Sequence, residues 1–330
     1  MATSKALKFD RSFLEAIAAV GETGAALPQL PVGDVEGRRT AVGGFLAQMM
    51  AMVPPMPDVK QTQHEITASD GTTLILTEFR PSSAASTHSP AIYYAHGGGM
   101  ILGSVTVFAP AAAVRAQLSG LPIFAIEYRL APEYPHPNPV QDCYDGLTWL
   151  SAHASEVGID NARIMILGES AGGGLAAGVA LMARDKQLEP PLAYQMLIYP
   201  MLDDRNLKPI PEIEHLASWK CDDNRTGWGA LLGKAAGSDD EIEGHAYAAP
   251  ARAKSLAGLP PTYIDVGQLD IFGPEDILYA SRLMQAGVQV EFHLYPGLPH
   301  GFEGAAPQTE IVKGAMANRQ RVTDEFKRAQ

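Results

Sequence analysis

The 330-residue chain predicts an α/β fold, and three observations carry that prediction. Short β-branched or aromatic runs, bounded by Gly, Pro or Asp, recur from about residue 63 onward. Helical patterns lie between most of the later runs, an alternation that builds βαβ units into a mostly parallel central sheet flanked by helices. The apolar share of 46% against 19% charged residues supplies the apolar surface a large core needs. One elaborated core suits this length better than a minimal module.

The elements follow in chain order. Phe13, Ile17 and Val20 recur at helical spacing, and "GGFLAQMMAM" makes a second helical patch that "VPPMPDV" ends, so two helices precede any strand. The runs "TLILTEF", "AIYYAH", "IFAIEYR", "RIMILG", "YQMLIY", "TYIDVG" and "VQVEFHLY" read as strands. Helices are expected over 138–155, 171–184 and 274–286. The polar, acidic stretch from about 203 to 245 is longer than a usual connection and reads as an inserted helical lid.

A net charge of −12 argues against nucleic-acid or anionic-membrane partners, which require clustered Lys and Arg. A neutral or weakly polar small molecule fits better. Cys143 and Cys221 have no metal-ligand spacing and read as free thiols of a reducing compartment. Asp10, Arg11 and Glu15 interrupt any apolar leader, and no apolar run is long enough to span a membrane, so a cytoplasmic protein is expected.

The stretch "ILGESAGGG" (166–174) places Ser170 in G-x-S-x-G on a strand-to-helix turn, where small neighbours let a strained elbow lift the hydroxyl above the sheet. Gly172, Gly174 and Ala177 also satisfy a looser dinucleotide pattern, but they fall inside the expected helix rather than at the strand end. A serine needs a base within reach and a third group to hold that base. Of nine histidines, most lie on elements or in polar surroundings; His300 stands in "YPGLPHGFEG", a loop after the last strand. The order serine, acid, histidine leaves Asp265, Asp270, Glu275 and Asp276 as acids. Asp270, in the loop leaving a strand, is preferred, with Glu275 second. "HGGG" at 96–99 follows another strand, and Gly97, Gly98 and the N–H of Ala171 are the expected oxyanion donors.

Together "HGGG", "YRLAPE" at 128–133, "GESAGG" at 168–173, "LAGLPPTYIDVGQLD" at 256–270 and "HGF" at 300–302 resemble the hormone-sensitive-lipase-like esterases, a branch of the α/β-hydrolase fold. The resemblance implies a carboxylic-ester hydrolase with Ser170, Asp270 and His300 at the triad positions, no metal or organic cofactor, and an N-terminal helical cap. Residues 1–60 are then the cap segment, and 61–330 the catalytic domain with a cap insertion at about 203–245. Met100, Glu169, Met49 and Met50 are candidate pocket residues; with Met52 and Met56, the cap methionines Met49 and Met50 form a flexible apolar set, although helix packing accounts for these four more simply. Pro274 and Glu275 stand where the family usually has an Asp-Glu pair, Met100 follows the glycines where an aromatic is usual, and His136 replaces an aromatic in "APEYPHP". Arg129 and Glu133 are expected to tie their loop through paired charges.

Substrates are expected to be esters of small to medium acyl chain, with a lactone, an arylamide or a natural-product ester as alternatives. Activity should rise with pH as the imidazole loses its proton. A non-catalytic receptor on the same fold would lack the catalytic histidine, which is present here, and a dinucleotide-dependent oxidoreductase would need a glycine turn at the strand end. "VQVEFHLY" is a plausible edge strand for a homodimer.

Overall fold

The computed structural model describes residues 6–21, 28–240 and 242–329; the Val20 side chain lies outside the described residues. Eight strands form one sheet among them: β1 (Val59–Thr67), β2 (Thr73–Pro81), β3 (Ser89–Ala95), β4 (Ile123–Ile126), β5 (Ile159–Glu169), β6 (Tyr194–Ile198), β7 (Thr262–Gly267) and β8 (Val290–Tyr295). Their order is β1-β2-β4-β3-β5-β6-β7-β8. β2 runs antiparallel to β1 and β4, and every pairing from β4 to β8 is parallel.

Helices α1 (Arg11–Gly21), α2 (Val35–Arg38) and α3 (Gly44–Ala51) precede the sheet, with a wider π turn at Arg39–Gly43. Then come α4 (Val105–Ser119), α5 (Asn138–Ala152), α6 (Ala171–Asp185), α7 (Cys221–Leu232), α8 (His245–Ala248), α9 (Gly273–Gln285), α10 (Phe302–Ala305) and α11 (Glu310–Arg328). The central strands are buried on both faces, so alternate side chains enter two cores. Tyr93, Ile164 and Ile166 pack with α5, α6 and α9, whereas Ile92, Tyr94, Met165 and Leu167 pack with α1, α4 and α11.

The expected strands are present, and β1, α4 and α11 are elements beyond those expected. β4 also ends three residues before "IFAIEYR" does: the Glu127 N–H still reaches Ile75 O, but the Arg129 N–H already donates to Asp142. Both cysteines are free and buried. Among the described residues, no helix is long and apolar enough to cross a membrane.

The N-terminal segment packs on α7, between β6 and β7. Arg38, fully buried, donates to Asp223 at 2.8 Å and to the carbonyls of Leu30, Pro31 and Asp34. Arg39 donates to Ile101 O and to both carboxylate oxygens of Glu133. The "YRLAPE" charges are thus paired, but with partners outside the loop: Arg129 is bonded to Asp142 and Asp70, and Glu133 to Arg39.

Candidate active site

The carboxyl ends of the parallel strands bring four segments together, the place where open α/β sheets bind ligands. β5 ends at Glu169, and Ser170 turns the chain into α6 with φ 57° and ψ −123°. Its N–H donates to Ile198 O at 2.9 Å, and its carbonyl accepts from Met201 and Gly174. The left-handed backbone is costly for a residue with a side chain, and this bonding holds it there.

The glycines of the motif fill a steric need. A Cβ at Gly168 would lie 2.0 Å from Gly172 O, and one at Gly172 would lie 2.2 Å from Ala95 O. Strand, helix and the end of β3 therefore meet at backbone distance.

The loops after β7 and β8 supply the partners. Asp270 is fully buried and takes the Phe272 N–H on Oδ1 at 3.0 Å, while its Oδ2 lies 2.6 Å from His300 Nδ1. A carboxylate only accepts, so Nδ1 carries the proton and Nε2 is left to accept the Ser170 hydroxyl, 2.9 Å away. The imidazole lies edge-on between Phe272 and Tyr199, with centroids 5.2 and 4.5 Å away. The Ser218 hydroxyl, between β6 and α7, donates to His300 O at 2.6 Å.

The other acids are used elsewhere. Asp265 is bonded to Arg319, and Glu275 accepts the N–H groups of Leu202 and Asp203 at 2.7 and 3.1 Å, fastening the segment after β6. Asp276 is fully buried, with both oxygens unpartnered. Burial foremost, and then the Glu275, Asp270 and Asp265 carboxylates, push its pKa well above the usual range.

"HGGG" lies beside the serine: a Cβ at Gly97 would be 3.4 Å from Ser170 Cβ. Gly98 and Gly99 have φ values of 126° and 59°, a region that favours glycine. Ala171 opens α6, so its N–H has no partner in the preceding turn and sits at the positive end of the helix. His96 is buried, stacked between Tyr128 and Phe108, and bonded through Nδ1 to Gly97 O at 2.7 Å. Burial lowers its pKa to about 4, so near neutrality it is an uncharged prop for the loop.

A cavity of about 540 Å³ is walled by Met49 and Met50 of α3, Phe108 of α4, Tyr199 and Glu303, and reaches Glu169 and Gly301, the chain neighbours of Ser170 and His300. Met100 departs from the pocket expectation. It is 1% exposed, with φ 62°, and packs into the core with α5 and α6 rather than lining that cavity. His136 likewise sits away from the cavity, bonded to Glu243 O at 2.9 Å. Of the further methionines, Met52 is 76% exposed and Met56 packs against the core under α4 and α11. Tyr199, Glu303, Arg319 and Ser218 carry no site signal in the sequence, because their partners lie 16 to 104 positions away and leave no local spacing to read.

Residues 92–304 match the family described as the alpha/beta hydrolase fold. The chain belongs to that family. Within it, this hydrolase falls in the hormone-sensitive-lipase-like branch. It is 34% identical over 235 residues to esterase LipI of Mycobacterium tuberculosis, covering 68% of this chain and 69% of the relative. With carboxylesterase NlhH of the same organism it shares 35% over 218 residues, 64% of this chain and 66% of that one. Among solved structures, a bacterial heroin esterase superposes with a TM-score of 0.88 at 33% identity, covering 98% of the hydrolase and 99% of the other chain. An esterase of Pyrobaculum calidifontis gives 0.79 at 30% identity, covering 91% and 96%.

Proposed function

We propose that this hydrolase cleaves carboxylic esters of small to medium acyl chain through an acyl-enzyme on Ser170. The observation that carries the proposal is the unbroken chain Ser170 to His300 to Asp270, at 2.9 and 2.6 Å. Ser170 Oγ attacks the ester carbonyl carbon as its proton passes to His300 Nε2. Asp270 fixes the tautomer and stabilises the imidazolium. The negative charge on the tetrahedral oxygen faces the N–H groups of Gly97, Gly98 and Ala171, whose stabilisation is greater in the transition state than in the ground state.

Collapse expels the alcohol, which takes the proton from His300. Water, deprotonated by His300, then attacks the acyl carbon, and the acid leaves with Ser170 restored. Residues 28–51 and the insertion at 203–245 serve as a cap, and the cavity walled by Met49, Met50 and Glu169 receives one arm of the substrate. The esterases among its relatives support this reaction class.

The test is hydrolysis of p-nitrophenyl esters, from acetyl to long chains, by the native protein and Ser170→Ala. The expected result is a preference for short to medium chains and a loss of about 10⁴-fold or more in the variant. A native protein that neither hydrolyses any chain nor reacts with a fluorophosphonate at Ser170 would sink the proposal and favour the receptor.

A further inference from the structure

One wall of the cavity is charged, largely buried, and also touches the base. Arg319 on α11 is 5% exposed; its Nε and Nη2 donate to the two Asp265 oxygens at 2.6 and 2.9 Å, and its Nη1 to Glu303 Oε1 at 2.8 Å. The Tyr199 hydroxyl donates to the same Glu303 oxygen at 2.5 Å. The Arg319 guanidinium lies over the rings of Tyr199 and Phe302, 5.5 and 5.2 Å from their centroids. Tyr199 has φ 35°, unusual for a bulky residue, and its N–H is fastened to Asp265 O at 2.7 Å. Its ring meets the His300 ring at 63°.

We propose that Tyr199, anchored by Glu303 and Arg319, is a positioning residue for His300, setting the tilt of the imidazole that brings Nε2 to Ser170 Oγ. The bond from Asp270 fixes one end of the imidazole but leaves it free to rock about that bond. Tyr199 on one side and Phe272 on the other limit the rocking. The Tyr199 ring keeps its place only while its hydroxyl is held, and Glu303, three residues past His300, moves with the histidine loop. Burial raises the Tyr199 pKa and keeps its hydroxyl a donor. Burial also works against the Glu303 charge, but Arg319 and Tyr199 outweigh it and hold the carboxyl below its usual range.

The proposal rests on His300 being the base of the proposed esterase, and the experiment separates the two. Tyr199→Phe, Glu303→Gln and Glu303→Ala are compared with the native protein for kcat and KM on a short p-nitrophenyl ester, fluorophosphonate labelling rate and thermal midpoint. Tyr199→Phe keeps the ring but loses its anchor: kcat falls about tenfold, labelling slows in proportion, and KM stays within about twofold. Glu303→Ala behaves like Tyr199→Phe, and Glu303→Gln, which retains an acceptor for both donors, recovers most of the kcat that Glu303→Ala loses.

Native kcat in Tyr199→Phe, with only a lower thermal midpoint, would overturn the proposal, as would a rise in KM alone. If Glu303→Ala fails to fold, Tyr199→Phe and Glu303→Gln decide between these outcomes. A native protein that neither hydrolyses nor labels removes the esterase reading itself, and this proposal with it.

Discussion

Ser170 is held in a conformation that costs it energy, and its neighbours show how that strain is maintained. Gly172 Cα sits against the carbonyls of Ala95 and His96, where a methyl would lie 2.2 and 2.4 Å from their oxygens. Gly172→Ala therefore must push β3 and α6 apart. A loss of about 3 kcal/mol is expected from overpacking, together with a fall in kcat as the elbow shifts; urea unfolding and ester kinetics measure both. Gly229 in α7 has nothing within 4 Å of its missing Cβ. Gly229→Ala should leave activity intact and raise stability by about 0.5–1 kcal/mol, because alanine loses less backbone entropy in a helix. Opposite outcomes for two glycines in helices would show that backbone approach, not helix propensity, governs the first.

At the scale of elements, two adjacent arginines fasten the N-terminal segment. Arg38 is buried and donates to the part-exposed Asp223 and to three carbonyls, so Arg38→Ala leaves those acceptors short of a donor. Such a loss costs about 1–3 kcal/mol. The damage should be local: limited proteolysis is expected to cut within 28–51 while a resistant fragment carrying α4 to α11 survives. Simultaneous loss of the whole chain would mean the segment is integral to the core.

The same elements explain what was legible in the sequence. β3, β5, β6 and β7 announce themselves because both their faces are buried and apolar. β1 did not, because "VKQTQHEIT" exposes most of its side chains and only Val59 and Ile66 are buried. In α4, alanines pack on several sides and Pro110 interrupts the run, so no apolar stripe stands out. Around the site, Ser170, His300 and the glycine loop lie in local motifs that chemistry makes recognisable. The Asp265–Arg319–Glu303–Tyr199 cluster is built from residues of β7, α11, α10 and the turn after β6, 16 to 54 positions from Arg319 where it bonds directly, and only the fold unites it.

For the molecule as a whole, the buried carboxyl of Asp276 links stability to pH. Its pKa is raised in the folded protein, by burial first and then by Glu275, Asp270 and Asp265, so it is held neutral, whereas the unfolded chain ionises it above about pH 4. Its contribution to stability is therefore complete below the unfolded pKa and is lost as pH rises toward the folded one. Asn carries no charge at any pH. The thermal midpoint of Asp276→Asn should gain on the native protein as pH goes from about 4 to about 8. A constant difference across that range would mean Asp276 is not held neutral. Glu275, raised in the same direction by its burial, leaves a residual slope in both proteins.

The bond from Ser218 to the carbonyl of His300 has a consequence for recombination among related sequences. It joins the stretch around Ser218 to the loop that carries His300, 82 positions away, so the placing of one depends on the other. Exchanging that stretch alone for that of a homologue grafts a foreign contact onto the base, and exchanging both together keeps the pair matched. In a library of chimeras, crossovers that separate residue 218 from residue 300 should therefore be depleted among active progeny, even where each parental half folds.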